Sequence, residues 1–309
     1  DLVHGHLFKG EMAGTVLSRV LAVPLVLTRH SLDWANLPAW QRKTLQAVVQ
    51  RRAGGIIAIS DAVAEVTRTA LAGRPVPVRV IRHGVDPELL KDKMRGTDLR
   101  AELGLQGRKL LGTVARLSPD KGLTYLLQAY HQAQPALADW HIVIAGDGPQ
   151  RATLAEHAAQ LGIADRLHLL GWRDDAMDVV KALDVFALPS IREGFGLALL
   201  EAMTAGTAAV ASDLPSIRET AGDAVLYVPP ADKVKLAQAL RQLADQPQLR
   251  EDLAARSRRQ AQRFSAEQMA RQTVDFYATT LRGGAGVHPP RRQDSSVPAG
   301  LERRAEDRY

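Results

Sequence analysis

Glu193 and Glu201 lie eight positions apart, with Gly194-Phe195-Gly196 between them. The segment they bound, Glu193-Gly194-Phe195-Gly196-Leu197-Ala198-Leu199-Leu200-Glu201, follows an apolar strand-like run at 185–188 and the turn Pro189-Ser190. Glycines at 194 and 196 let backbone amides come close to a ligand, and a helix opening near Gly196 turns its positive end toward the same place. An anion, most simply a phosphate, suits such a spot. Glu193 precedes the helix and Glu201 is expected about two turns into it, so both carboxylates face one ligand from different heights. Phosphate repels carboxylates, so their natural partners are neutral hydroxyls of a sugar or ribose. Ordinary helix-start and helix-surface acids would leave the same pattern, because the helix dipole favours acids there as well.

A second cluster narrows the choice. Arg116 follows the strand-like run 109–114, and Lys121 follows the turn Ser118-Pro119-Asp120 and is closed by Gly122. Two cations at the carboxyl end of a parallel strand suit a diphosphate, Arg gripping oxygens at two points and Lys adding a mobile charge. A solvated turn is the plainer alternative. His4 and His6 alternate on a strand end, which puts both rings on one face. Lining a pocket fits that pair better than binding a metal. His30 follows another strand-like run, at 24–28.

These residues need rigid elements behind them, and the chain repeats a short β-branched run, a turn and an amphipathic helical stretch, the pattern of βα units and a parallel sheet. One series has strands expected at 24–28, 55–60 and 78–82 and helices at 12–21, 37–52 and 62–71. It closes at His83-Gly84-Val85-Asp86. A charged helical stretch over 87–103, broken near Gly96, reads as a linker. The second series has strands expected at 109–114, 141–145, 167–170, 185–188, 208–212 and 225–228. Helices follow at 233–244, 248–264 and 266–281. From 283 to 309 the composition of Gly, Pro, Ser and charge predicts a disordered tail.

The chain has 309 residues, 46% hydrophobic and 24% charged, which suits a globular protein of about two domains. Having no cysteine, it excludes disulfides, thiolate catalysis and cysteine-ligated metal, and it fits a reducing compartment. A net charge of +6 is diffuse. Its densest basic cluster, Arg256 to Arg263, lacks interleaved aromatics, so nucleic-acid binding is not expected. The opening Asp1-Leu2-Val3-His4 lies inside a strand-like run and reads as the start of a truncated or processed chain.

Six segments in order, Asp1-Leu2-Val3-His4-Gly5-His6, Ile57-Ala58-Ile59-Ser60, His83-Gly84-Val85-Asp86, Val114-Ala115-Arg116-Leu117 with Lys121-Gly122, Ala145-Gly146-Asp147-Gly148-Pro149, and Glu193 to Glu201, resemble the retaining nucleotide-sugar glycosyltransferases of family 4. The resemblance implies an α/β GT-B fold, two Rossmann-like doubly wound domains facing a cleft. It divides the chain into an incomplete acceptor-side domain at 1–92, a nucleotide-sugar-binding domain at 93–264, a helix at 265–282 packing back toward the first domain, and the tail. Position by position, Arg116 and Lys121 hold the donor diphosphate, Glu201 the ribose, and Glu193 hydroxyls of the transferred sugar, while Phe195, Gly196 and Leu197 offer backbone amides. Gly171 and Arg173 lie near the base. His30 is the candidate for positioning or proton handling, and His4 and His6 line the acceptor side. One departure is His83, where Asn is more usual.

The implied reaction is hexosyl transfer from a UDP or GDP sugar to an envelope glycan, glycolipid or small-molecule acceptor, with no cofactor and no metal. The implied location is cytoplasmic, with peripheral contact to the inner membrane surface left open. A nucleotide-binding fragment without turnover and a sugar-phosphate-using phosphorylase remain as alternatives. A dinucleotide fingerprint at Gly146-x-Gly148 fails because Arg151 stands where the third glycine belongs. A glycosidase built on Glu193 and Glu201 leaves Arg116 and Lys121 without a role.

Overall fold

The computed structural model describes residues 1–32, 40, 53–71, 76–92 and 95–284. The helix expected over 37–52 lies outside them except for residue 40, and so do residues 285–309.

Parallel strands form two sheets. In the first, β1 (Val3–His6), β2 (Leu25–Arg29), β3 (Ala53–Ala58) and β4 (Val78–Val80) lie in sequence order. Helix α1 (Leu7–Leu21) joins β1 to β2, and α2 (Asp61–Ala70) joins β3 to β4. Every residue of β2 is buried, as expected of a strand covered on both faces. Helix α1 starts five residues before the expected 12–21. The strand runs directly into it through extended His6, with no side-chain cap to mark the junction.

After α3 (Pro87–Asp92) and α4 (Leu99–Leu103) comes the second sheet, ordered β10-β9-β8-β5-β6-β7. Its strands are β5 (Lys109–Val114), β6 (Trp140–Ala145), β7 (Leu167–Gly171), β8 (Val185–Leu188), β9 (Ala208–Ser212) and β10 (Leu226–Val228). The expected strands 109–114, 185–188 and 208–212 have these bounds, and the other strands of this sheet differ by one residue. The helices are α5 (Leu123–Ala133), α6 (Arg151–Gln160), α7 (Ala176–Ala182), α8 (Leu197–Ala205), α9 (Pro215–Ala221), α10 (Lys233–Asp245), α11 (Pro247–Ala261) and α12 (Ala266–Gly284). The tail expected from 283 therefore begins inside α12.

The stretch 87–103, expected to link two domains, does connect β4 of the first sheet to β5 of the second, and it is packed rather than solvated. Leu90, Leu99 and Leu105 are buried in the core. The Arg95 amide donates to Asp178 Oδ2 and the Thr97 hydroxyl to Asp175 Oδ2. Charge at the exposed positions masks apolar anchors spaced for packing against α7. The same core holds Ala58 and Ile59 at the end of β3 and Val63 and Ala64 on α2 together with Phe186 and Leu188 on β8 and Phe195 in the loop after it, so apolar burial holds the two halves together. A second core fills the opposite face of the six-stranded sheet.

Two strands of chain run side by side between the sheets. The Val85 amide donates to Phe264 O, and the Ala266 amide returns to Val85 O. A Cβ on Gly84 would lie 2.2 Å from Ser265 O, so only glycine allows that approach. Beyond this point α12 packs on β3, with Phe276 buried where a Cβ on Gly55 would meet its ring at 2.5 Å.

Candidate active site

The order of the six-stranded sheet reverses at β5, which has β6 on one side and β8 on the other. A crevice opens beyond the carboxyl ends of such a pair. Here the loops after β5 and β8 carry Arg116, Lys121 and Glu193. A 3₁₀ turn, Pro119–Lys121, ends in Gly122 at φ +64°. A Cβ there would sit 2.1 Å from Pro189 O, so glycine lets the turn press on the β8 loop. The Ile191 amide donating to Asp120 O, at 2.8 Å, joins the two loops.

This contact brings Lys121 Nζ within 2.8 Å of Glu193 Oε2, with side chains 21% and 15% exposed. Ser190 Oγ donates to the same oxygen at 3.3 Å. The cation expected at the diphosphate and the carboxylate expected at the sugar are thus ion-paired with each other. Arg116 reaches into solvent, 70% exposed and 3.6 Å from Asp120. Burial pushes the Asp120 carboxyl up, but the Ser118 hydroxyl, Lys121, its own backbone amide and Arg116 outweigh that and hold it below the usual range. The residues lining a cleft of about 230 Å³ include His30, Arg116, Asp120, Lys121, Glu193 and Gly194. Both sheets contribute to it.

Helix α8 begins at Leu197, with Gly196 as its cap at φ +82°. Glu201 is the fifth residue of α8, so it stands just over one turn in rather than the expected two, since a turn takes about 3.6 residues and the helix begins at Leu197. It is half-buried. The Phe195 side chain is 2% exposed and belongs to the core, which leaves only its backbone for a ligand. Leu197 is partly exposed at the helix start. Gly146 and Gly148, at φ +128° and +157°, pack their backbones under Ala115 and Leu117 and support the Arg116 loop from below.

Gly171 sits at the end of β7 and accepts from the Gly146 amide at 2.7 Å. The Arg173 guanidinium is gripped by Glu102, at 2.6 and 2.9 Å, and by Asp175, at 2.7 Å through both nitrogens. Hydrogen bonds that it donates to Asp175 and then to Glu102 hold it firmly charged. Its side chain therefore braces α4 against the start of α7, and Gly171 ends β7 at the carboxyl end of the sheet.

His4, His6 and His30 do come together, and they are joined by His83, to which the sequence reading attached no role. Ring centroids are 4.1 Å apart for His4 and His6, 5.2 Å for His6 and His30, and 5.4 Å for the stacked His30 and His83. His6 Nδ1 lies 2.9 Å from His30 Nε2. His4 bonds Thr28 and, at the far end of the row, Tyr277 on α12. Burial first, and neighbouring rings second, hold His4 and His30 down to about 4 and lower His83 as well. At neutral pH His4 and His30 are uncharged. Among the described residues, no group of three or more His, Cys, Asp or Glu is arranged to hold a metal ion, and no helix is long and apolar enough to cross a membrane.

Sequence and structure comparisons place this geometry. The model of the glycosyl transferases group 1 matches residues 96–260, and that of Glycosyltransferase Family 4 matches residues 1–89. The chain is 30% identical to 2-deoxystreptamine glucosyltransferase of Streptomyces kanamyceticus over 80% of this chain and 69% of that protein. It is 32% identical to the lipopolysaccharide core biosynthesis mannosyltransferase LpsB of Rhizobium meliloti, over 88% and 78%. Its structure resembles Anabaena Alr3699/HepE, solved in complex with UDP and glucose, with a TM-score of 0.82 and 26% identity over 90% of this chain and 78% of that one. The two facing parallel sheets are those of the GT-B fold. Because the group 1 model spans more than half of the chain and the family 4 model most of what precedes it, this chain belongs to the family 4, group 1 glycosyltransferases.

Proposed function

We propose that the chain transfers a hexose, with retention of anomeric configuration, from a UDP-sugar to a hydroxyl of a glycan, a glycolipid or a small molecule. The observation that carries this reading is the Lys121–Glu193 pair at the sheet's switch point, beside exposed Arg116 and the start of α8. Arg116 and Lys121 take the diphosphate and Glu201 the ribose, and Gly171 and Arg173 lie near the base. Glu193 and the amides of Phe195, Gly196 and Leu197 take the sugar. His30 stands where sugar and acceptor meet, and His4 and His6 line the acceptor side. The four-stranded sheet, within 1–92, presents the acceptor, and the six-stranded sheet, within 93–264, presents the donor.

In the reaction the bond from the sugar's anomeric carbon to the diphosphate breaks, and a bond from that carbon to the acceptor oxygen forms. The acceptor's proton goes to the departing diphosphate oxygen, so no enzymatic nucleophile is required. The protein's part is to offset charge growing on the diphosphate with Arg116, Lys121 and the positive end of α8, in a cleft that excludes water. A uridine donor is supported by the likeness to HepE, whose structure holds UDP and glucose. The glucosyl- and mannosyltransferase relatives support hexosyl transfer but point to different acceptors.

Calorimetric titration with UDP, GDP and ADP tests the reading, repeated for Arg116→Ala and Glu201→Ala. Saturable binding of UDP in preference to the others, weakened in both variants, is expected. A folded chain that binds none of the three removes the donor site.

A further inference from the structure

Three successive carbonyls of the loop bearing Glu193 are each held by a buried hydroxyl. Ser216 Oγ donates to Glu193 O at 2.6 Å, Ser60 Oγ to Gly194 O at 2.7 Å, and Thr220 Oγ1 to Phe195 O at 2.6 Å. In a planar trans peptide the carbonyl of one residue and the N–H of the next point in opposite directions. Fixing these carbonyls therefore fixes the amides of Gly194, Phe195 and Gly196. Ser216 and Thr220 sit one turn apart on α9, on the same sheet as the loop. Ser60, 134 residues away in sequence, caps α2, the helix that joins β3 to β4 of the other sheet.

The contact does not stand alone. Between Ser216 and Thr220 on α9, Glu219 accepts from the Asp61 amide at 2.8 Å and from Arg82 Nε at 2.5 Å, and Arg82 Nη2 donates to Asp61 Oδ2 at 2.7 Å. The Glu219 side chain is 12% exposed and Ser60 fully buried. Gly194 also rests against the turn just past β2, since a Cβ there would lie 2.6 Å from His30 O. Helix α9 thus carries two of the loop's hydrogen-bond donors and, beside them, the anchor that joins it to the first sheet.

We propose that Ser60 is a positioning residue for sugar transfer: it orients the Phe195 amide only while the two sheets are docked through Asp61, Arg82 and Glu219. Closure of the cleft and completion of the sugar-binding loop are then one event. This rests on the reading of the loop as the donor-sugar site. A purely structural role for Ser60 exists beside it, because its Oγ also accepts from the Val63 amide as the cap of α2. The two roles separate by substitution. Glycine removes the hydroxyl and is nearly as good a cap as serine, whereas threonine keeps the hydroxyl and caps as well.

The test measures hydrogen–deuterium exchange in the ligand-free full chain, and binding of UDP and of the UDP-hexose that the wild type takes most tightly. In Ser60→Gly, exchange rises in peptides covering 194–197 while α2 stays protected. UDP affinity stays within about twofold, and UDP-hexose affinity falls about fivefold relative to UDP, the size of one lost hydrogen bond. Ser60→Thr behaves as wild type, and Glu219→Gln shifts the loop's exchange in the same direction as Ser60→Gly. Unchanged exchange in Ser60→Gly overturns the proposal, as does an equal fall for UDP and UDP-hexose, which marks a structural role alone. A wild type that binds neither nucleotide overturns the donor-site reading and this proposal with it. That result is distinct from the failure of Ser60 alone, in which the wild type binds both and Ser60→Gly matches it.

Discussion

Replacing Lys121 with methionine keeps most of the stem and removes the charge, and two effects on UDP binding follow. In the free protein, Lys121 neutralises Glu193 across 2.8 Å. Unit charges about 4 Å apart interact by about 4 kcal/mol at an effective dielectric near 20 and about 1 kcal/mol in water. A side chain 21% exposed lies between these limits, so the contact to a diphosphate oxygen is worth about 1–2 kcal/mol. Its loss also uncovers the Glu193 carboxylate beside the same phosphate, adding about 1 kcal/mol of repulsion. The sum, about 2–3 kcal/mol, is a weakening of about 30- to 150-fold in Kd. Glu193→Gln in the Lys121→Met background removes the repulsive part, so the double variant binds UDP about fivefold more tightly than the single one. Calorimetry at one fixed ionic strength reads both values, with thermal unfolding to show that each variant is folded. A Lys121→Met protein that binds UDP within about twofold of wild type, or a double variant weaker than the single, would refute the electrostatic account.

Three further perturbations have defined outcomes. Gly122→Ala forces a Cβ into Pro189 O at φ +64°, and since neither backbone can yield, a loss of at least about 1–3 kcal/mol in denaturant unfolding is expected, together with weaker UDP binding. Phe276→Ala empties the site where α12 meets β3 and should cost about 3–5 kcal/mol, with earlier proteolytic cutting of α12 as a second readout. Acid should destabilise the fold: His4 and His30 are held near 4 in the folded protein against an ordinary value of 6.5, so below 6.5 the unfolded chain binds more protons and stability falls as pH drops toward 4. A His4→Gln/His30→Gln variant should show a flatter dependence of unfolding midpoint on pH over that window, and an equally steep one would place the acid sensitivity elsewhere.

The sequence by itself determined the repeating βα units, the strands at 109–114, 185–188 and 208–212, the glycine loop ahead of α8, and the cations at the end of β5. These are local decisions, since β-branched runs, turn residues and glycines with positive φ act within a few positions of themselves. Even where the local signal failed, the cause is specific: His6 enters α1 without a polar cap. The tertiary structure decided what each charge and ring does. Arg173, expected near the base, is held by Glu102, 71 positions away, and by Asp175. Lys121 and Glu193 pair across 72 positions, because Gly122 lets one loop settle on the other. His83 joins the histidine row only because β4 and the crossing beside Ser265 carry it to His30. Partners so far apart in sequence are chosen by how two sheets pack, and packing depends on many apolar contacts at once, which no single motif encodes.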